Sequence, residues 1–117
     1  MHELSLMAEL QSLAEQQARL DGATRIHRLQ LRIGELAGVD ADALRLAFAV
    51  VVANGAQQEL WRSATLDLET VPARCFCPDC AQPFRPPDVI HACPRCGHLS
   101  RQLLAGRELE IVALEVS

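Results

Sequence analysis

Two cysteine pairs constrain this chain more than any other feature of its sequence. They are Cys77-Pro-Asp-Cys80 and Cys93-Pro-Arg-Cys96, separated by twelve residues. Each turn directs two sulfurs at one point, and two such turns complete the four-thiolate, tetrahedral site that zinc prefers. Gly97 follows the second pair and is expected to take a left-handed conformation beneath the metal. The sequence therefore predicts a zinc site with Cys77, Cys80, Cys93 and Cys96 as its ligands.

Disulfides and redox chemistry explain the same cysteines less well. Two disulfides need an oxidising compartment, whereas the first ten residues carry neither the basic nor the long apolar segment of a secretion signal. A thioredoxin-like site needs one pair at the start of a helix, not two pairs that face each other. We therefore expect a cytoplasmic protein whose clustered thiols bind metal.

Three further side chains near the pairs are weaker candidates for the metal. Cys75 cannot easily share an ion with Cys77 and Cys80 once the distal pair is bound, so we expect a small buried or partly exposed thiol there. His98 can replace one sulfur, but four well-spaced cysteines make the four-thiolate site the better prediction. His91 is expected on the surface of the loop.

Length and composition predict one compact body with a modest insertion. The chain has 117 residues, half of them apolar but only four of them aromatic, so the core must consist mainly of leucine, valine, isoleucine and alanine. The longest uninterrupted apolar run, residues 46–53, spans eight residues and is too short to cross a membrane.

Charge is unevenly distributed along the chain. The whole chain carries −4 at neutral pH, yet residues 73–107 hold five arginines against two aspartates. A basic zinc-containing segment on an acidic body keeps binding to nucleic acid or to an acidic partner as an alternative. A solvated charged surface is the preferred explanation, because no aromatic stacking surface accompanies the arginines.

Hydrophobic periodicity predicts two helices and three strands. The helices cover residues 3–20 and 43–53, and the strands cover residues 26–33, 65–71 and 109–116. Gly22 is expected to end the first helix, and Asp40 or Asp42 to cap the second. The second helix is apolar nearly all round, which predicts that it is the most deeply packed. A change of phase near Val112 predicts a β-bulge.

This order of elements predicts an α+β fold. A small antiparallel three-stranded sheet carries both helices on one face, and a zinc ribbon is inserted between the last two strands. Those two strands are expected to pair as a long hairpin with the metal knuckle at its tip. Pro72 and Gly106 mark where the chain leaves and re-enters the body. Residues 1–72 and 107–117 would then form one domain, and residues 73–106 the zinc-binding one.

The first three residues, Met1-His2-Glu3, form a second candidate metal site. A terminal amine, the amide nitrogen of residue 2 and the His2 imidazole can bind one ion through fused chelate rings. Such nitrogen-rich, nearly planar donor sets suit Cu(II) and Ni(II) better than Zn(II), and Glu3 can add its amide or its carboxylate. Taken alone, a histidine at position 2 is more often an ordinary polar residue at a frayed terminus.

Taken together, three segments resemble the HypA/HybF family of nickel metallochaperones, which serve nickel–iron hydrogenase maturation. They are MHELS at residues 1–5, IGELAGVD at residues 33–40, and the cysteine segments CFCPDC and CPRCG at residues 75–80 and 93–97. The resemblance covers essentially the whole length and keeps the order of all elements. It is more specific than either the terminal histidine or the cysteine pairs alone.

The resemblance implies a carrier of Ni(II) that also holds a structural Zn(II). It implies that His2 is the essential nickel ligand, with the Met1 amine and Glu3 completing much of the site. Asp40 matches an acidic position near the nickel site in some members and is a further candidate ligand. Cys75 matches a cysteine that is frequent in the family but not needed for zinc. The implied zinc ligands are Cys77, Cys80, Cys93 and Cys96.

The implied partners are the maturation GTPase HypB and the hydrogenase large-subunit precursor, and some members also serve urease. No catalytic constellation of serine, histidine and aspartate, or of cysteine and histidine, is evident, so we expect a carrier and not an enzyme. Two alternatives remain at this point. One is a zinc-ribbon module that binds nucleic acid or takes part in transcription, and the other is a zinc-stabilised scaffold without metal cargo.

Overall fold

The computed structural model describes residues 3–87 and 90–117. This part of the chain forms two helices, α1 (Glu3–Leu20) and α2 (Ala41–Asn54). Its strands are β1 (Ile26–Gly34), β2 (Thr65–Val71), β3 (Arg74–Cys77), β4 (Gln82–Phe84), β5 (Gln102–Ala105) and β6 (Leu109–Val116). The predicted α+β class is confirmed, and both helices and all three predicted strands are present within two residues of their predicted bounds.

The predicted stop of α1 at Gly22 is confirmed, and its hydrogen bonds explain it. The Gly22 amide donates to the Arg19 carbonyl at 3.1 Å, and the Ala23 amide donates to the Ala18 carbonyl at 2.9 Å. This pair of bonds is the Schellman motif, which requires a left-handed residue at the turn. Gly22 supplies that conformation with φ +68°.

The main sheet has the strand order β2-β1-β6, and here two predictions are wrong. β1 pairs with β2 in parallel, so the sheet is mixed instead of antiparallel, and β2 does not pair with β6. The long hairpin is therefore absent. The reason is that α2 connects β1 to β2 as a crossover, which returns the chain to the same end of the sheet. β1 takes the centre because it supplies the most buried side chains of the three strands.

The β-bulge predicted near Val112 is confirmed. Gln30 lies opposite Ala113 and Leu31 lies opposite Ile111, which leaves Val112 without a partner on β1. One extra residue on β6 shifts the alternation of its side chains, so that Ile111 and Leu114 both reach the core.

The two faces of the main sheet differ in chemistry, as predicted for helices on one face. Leu29, Leu31 and Ile33 of β1 are buried in the core beneath the helices. Arg28 and Arg32 alternate with these residues and lie on the other face. Arg28 forms ion pairs with Asp67 and Glu115. Arg32 forms ion pairs with Glu69 and Glu110. The sheet therefore has one apolar face and one face of paired charges.

The prediction that α2 is the most deeply packed element is wrong. Only Leu44 and Ala47 of this helix are buried, whereas Leu46 and Val50 are 71% and 47% exposed. A helix that forms the outer layer over a single sheet has one face with nothing to pack against. Apolar composition alone therefore overestimates its burial.

Trp61 fills the space beside α2 instead. It is 1% exposed, its ring meets that of Phe48 edge to face at 5.8 Å, and its Nε1 donates to the Glu15 carboxylate at 2.8 Å. The buried indole therefore has both an aromatic neighbour and a partner for its polar atom.

A second, fully antiparallel sheet, with the order β4-β3-β5, leaves the main sheet close to Gly34 and Gly106. The Leu36 amide donates to the Gly106 carbonyl at 2.6 Å, and the Gly34 amide to the Glu108 carbonyl at 2.7 Å. A Cβ added at Gly34 would overlap the Gly106 carbonyl, so only glycine allows the two backbones to approach this closely. Neither described helix is long and apolar enough to cross a membrane.

Candidate metal centre

The first cysteine turn lies where β3 ends. β3 carries the chain to Cys77, a turn follows, and β4 begins again at Gln82. Within the turn the Cys80 amide donates to the Cys77 sulfur at 3.4 Å. Such amide-to-sulfur bonds stabilise a thiolate, which is the form that binds metal. Ala81 closes the turn in the left-handed region with φ +52°.

The second cysteine turn lies in a short hairpin that the isolated bridge between Ala92 and Leu99 closes. The Cys93 amide donates to the His98 carbonyl at 2.9 Å, and the Gly97 amide donates to the Cys93 carbonyl at 2.8 Å. Gly97 has φ +77°, which is the left-handed conformation predicted for it. The backbone therefore folds under the sulfurs without strain.

The structure brings together the four predicted zinc ligands, Cys77, Cys80, Cys93 and Cys96. Their sulfurs all lie within 4.8 Å of one another, and those of Cys77 and Cys96 are 3.5 Å apart. A disulfide would need about 2.05 Å, whereas two sulfurs of a tetrahedral zinc site with bonds of about 2.3 Å are about 3.8 Å apart. All five cysteines are free thiols. The spacing fits a shared ion and not a disulfide.

The thiols of this cluster differ in pKa. The hydrogen bond that the Cys80 thiol donates to the Cys96 sulfur, aided by burial, raises the pKa of Cys80 to about 12. Hydrogen bonding from the backbone of Cys96, against the effect of burial, lowers the pKa of Cys93 to about 7. The clustered sulfurs therefore do not ionise together by themselves at neutral pH. A divalent cation supplies the positive charge that would stabilise four thiolates at once, which suits this donor set to Zn(II).

The three weaker candidates lie outside this cluster. Cys75 is fully buried in β3, and burial raises the pKa of its thiol. The His98 ring lies 3.0 Å from the Asp79 carboxylate and is not part of the sulfur cluster. His91 is half-buried, and its carbonyl accepts from the Ser100 amide at 2.8 Å.

Two of the four predicted nickel-site residues can be located. Met1 and His2 lie outside the described residues. Glu3 is the first residue of α1, and its carboxylate accepts from the Asp40 amide at 3.2 Å. The structure therefore brings together two residues that are far apart in sequence, one of them directly after His2.

Asp40 has a structural role that can account for its acidic side chain without a metal. It is the N-cap of α2, and its Oδ1 accepts from the Asp42 amide at 2.9 Å. Asp42 lies in the first turn and pairs with Arg45 at 3.1 Å. Of the two predicted caps, Asp40 is therefore the one that the helix uses.

Glu35 is a residue whose role the sequence did not reveal. Its carboxylate accepts from the Ala73 amide at 3.3 Å and from the Arg85 guanidinium at 3.0 Å, so it links the loop after β1 to the segment that carries the cysteines. Glu35 lies in the GELAGVD segment, and this segment's resemblance to the family was the only sequence feature that could have drawn attention to it. Nothing in the sequence indicates its partners.

The arginines of the basic segment are partly engaged within the protein. Arg85 pairs with Glu35, and Arg95 donates to the Gln82 side chain at 2.8 Å. These two side chains are therefore less available to phosphates than the charge count implies, which weakens the nucleic-acid alternative.

Comparisons with known proteins agree with this geometry. Residues 1–116 match the family model described as hydrogenase/urease nickel incorporation, metallochaperone, hypA. The hydrogenase maturation factors HypA of Picosynechococcus sp. and Acidithiobacillus ferrooxidans are 43% and 40% identical over 116 residues, which is 99% of this chain and of each relative.

Solved structures of the same kind are also similar. The solution structure of the Ni metallochaperone HypA from Helicobacter pylori is 26% identical, with a TM-score of 0.66 over 99% of this chain and 97% of that chain. A second solution structure of a HypA protein is 27% identical, with a TM-score of 0.68 over 100% and 97% of the two chains.

Proposed function

This chain belongs to the HypA family of nickel metallochaperones, and we propose that it binds Ni(II) at its amino-terminal residues and delivers it to the large-subunit precursor of a nickel–iron hydrogenase. In this proposal the protein is a carrier and not an enzyme. The Met1 amine and the His2 amide and imidazole supply nitrogen donors. Glu3 and Asp40 add the neighbouring amide and carboxylate groups.

The observation that supports this proposal best is the hydrogen bond between Glu3 and Asp40. It fixes the residue after His2 against the N-cap of α2, so that the proposed site is bordered by two helix starts. A carboxylate at each start interacts favourably with the positive end of the helix dipole. The nitrogen donors of residues 1 and 2 would then bind an ion beside the Glu3 and Asp40 carboxylates.

Delivery requires a site that releases its ion without unfolding the protein. Only the first residues and two surface carboxylates would have to separate from the ion, whereas the core beneath α1 stays packed. Protonation of the imidazole competes with the metal for its nitrogen, so lower pH favours release.

The zinc ion has a different role in this proposal. Four thiolates from two rigid turns hold it far more firmly than a terminal site holds nickel. We propose that residues 73–106 act as a zinc-binding domain on the domain of residues 1–72 and 107–117. The separate strand order of the two sheets supports this division. Zinc binding also needs reduced thiols, which favours a cytoplasmic location.

The proposed partners follow from the family. Members act in hydrogenase maturation, so the protein would work with the maturation GTPase HypB and with the hydrogenase precursor. The family description also includes urease, so urease maturation proteins are a second proposed destination of the nickel. The alternative of a nucleic-acid-binding zinc ribbon is not favoured, because two of its arginines have partners within the protein.

Calorimetric titration with Ni(II) tests the proposal. The zinc-loaded protein with its natural amino terminus is compared with His2→Gln and with a form that has extra residues before Met1. We expect one tightly bound nickel in the natural form and at least a hundredfold weaker binding in both altered forms, because each loses part of one chelate.

Zinc content, measured on the same samples, is the control. It should stay at one ion per chain in all three forms, since the cysteine cluster shares no residue with the proposed nickel site. Equal nickel affinity in the three forms would mean that His2 is not the ligand. Loss of zinc together with nickel would instead show that the substitutions act through the fold.

A further inference from the structure

β6 is an edge strand that no described strand covers on its outer side. It lies at the end of the order β2-β1-β6 and is eight residues long. The backbone N–H and C=O groups of such an edge form a ready template for another strand. In natural proteins, an edge strand of this length without proline is usually protected from pairing with other chains, or else it binds a partner strand.

An apolar groove runs along this edge. It has a volume of about 410 Å³ and lies between Leu13 and Leu20 of α1 and Ile111 and Leu114 of β6. Leu13 and Leu20 are 55% and 74% exposed, which is high for leucines that border the core. Both helices lie on this face of the sheet, and α1 and β6 form the two sides of the groove.

The other face of the same edge is acidic. Glu110 and Glu115 are about half exposed and share Arg32 and Arg28 with Glu69 and Asp67. Four carboxylates therefore face two guanidinium groups, which leaves two negative charges in excess on this face. A strand added beside β6 would place alternate side chains against the groove and against this acidic face.

A second copy of this chain is a poor occupant of the edge. Two copies of β6 could pair as antiparallel strands about a twofold axis. If they paired over their full length, the axis would lie between Val112 and Ala113. Glu110 of each copy would then lie opposite Glu115 of the other. Like charges directly opposite each other destabilise strand pairing.

We propose that the outer edge of β6 binds an extended segment of a partner protein whose side chains alternate between apolar and basic. Its backbone pairs with β6, its apolar side chains enter the groove beside Leu13 and Leu20, and its basic side chains lie against Glu110 and Glu115. This binding is independent of the metal sites, because no residue of the groove or of the acidic face is a predicted ligand.

Peptide binding to the full-length, zinc-loaded protein tests this proposal. The probe is a capped octapeptide of alternating valine and arginine. One control alternates valine and glutamate, and a second has four valines followed by four arginines. Backbone NMR follows the amide shifts and the amide hydrogen exchange of each strand. We expect slowed exchange within residues 109–116 with the alternating basic peptide, and about tenfold weaker binding of each control.

Two protein variants check the groove. Leu13→Ser combined with Leu20→Ser removes exposed apolar surface without touching the buried core, and should weaken the alternating basic peptide about tenfold. Leu46→Ser is the matched control, because Leu46 is 71% exposed but belongs to the outer face of α2. It should leave the affinity unchanged.

Several results would overturn the proposal. One is slowed exchange in β2, the other edge of the main sheet, instead of β6. Another is equal affinity for the basic and acidic peptides, which would remove the role of Glu110 and Glu115. Protection of residues 109–116 that grows with protein concentration in the absence of peptide would assign the edge to a second copy of the chain.

Discussion

The Glu3 carboxylate accepts a hydrogen bond from the Asp40 backbone amide at 3.2 Å and so joins the first residue of α1 to the N-cap of α2. Farther along, the Gln11 side-chain amide donates to the Val51 carbonyl at 3.4 Å, which shows that the two helices run in the same direction. Both positive helix ends therefore lie at one end of the protein, beside the residues proposed to bind nickel.

Replacement of Glu3 by alanine should weaken both the fold and the nickel site. The variant loses the acceptor for the Asp40 amide and a negative charge at the start of α1, which we expect to cost about 1 kcal/mol in the free energy of unfolding. Urea denaturation measures the stability, and calorimetry measures the nickel affinity. Glu9→Ala, which removes an exposed glutamate from the same helix, is the control and should change neither. Equal losses in both variants would mean that only the helix charge matters.

Asp40 can be tested as a ligand separately from its role as a cap. Asparagine caps a helix about as well as aspartate, so Asp40→Asn should keep the thermal stability, whereas Asp40→Ala should lose about 1 kcal/mol. A neutral amide oxygen is a weaker ligand than a carboxylate, and we expect about a tenfold loss of nickel affinity in Asp40→Asn. Unchanged nickel affinity in this variant would leave Asp40 with the capping role alone.

Short-range signals in the sequence predicted their structures well. Gly22 ends α1 because its left-handed conformation completes two local hydrogen bonds, and both the glycine and its spacing are visible in the sequence. The bulge at Val112 follows from a change of phase within one strand. The clustering of the four cysteines was predictable because each pair is formed by a local turn, so that only the approach of the two turns to each other depends on the tertiary structure.

Long-range relationships were harder to predict. The parallel pairing of β1 with β2 depends on where α2 packs, and periodicity within a strand carries no information on its neighbour. Trp61 lies between the predicted elements, so its place in the core was not foreseen. The contact between Glu3 and Asp40 spans thirty-seven positions and involves a backbone amide, which has no sequence signature.

Gly34→Ala should disturb the junction between the two sheets. A methyl group at this position would overlap the Gly106 carbonyl, and relief requires a shift of backbone instead of a side chain. We expect a loss of about 2–3 kcal/mol in the free energy of unfolding. Gly38→Ala is the matched control, because Gly38 has φ +75° but a Cβ added there would have no neighbour within 4 Å. Its strain should cost about 1–2 kcal/mol.

The two variants also differ in what moves. NMR shifts in Gly34→Ala should extend into β3 and β5, since the overlap displaces the root of the cysteine-bearing segment. In Gly38→Ala they should remain within the loop after β1. Shifts confined to that loop in both variants would contradict the proposed tight junction at Gly106.

Removal of zinc should unfold the second sheet and leave the main sheet folded. Every member of the main core cluster lies outside residues 73–106, whereas β3, β4 and β5 have few buried side chains apart from the cysteines. A strong chelator should therefore abolish the protection of amides in these three strands. The fluorescence of Trp61, the sole tryptophan, should not change, because its contacts with Phe48 and Glu15 belong to the main core.

A pair of cysteine variants separates metal binding from burial in the same strand. Cys75 and Cys77 are 0% and 1% exposed, but only Cys77 belongs to the sulfur cluster. Cys77→Ala should lose zinc and reproduce the effect of the chelator. Cys75→Ala should keep one zinc per chain and lose only about 1 kcal/mol, the usual cost of a small cavity. Loss of zinc in Cys75→Ala would place Cys75 among the ligands. For the chelator experiment, a shift of the Trp61 emission would show that the two sheets unfold as one cooperative unit.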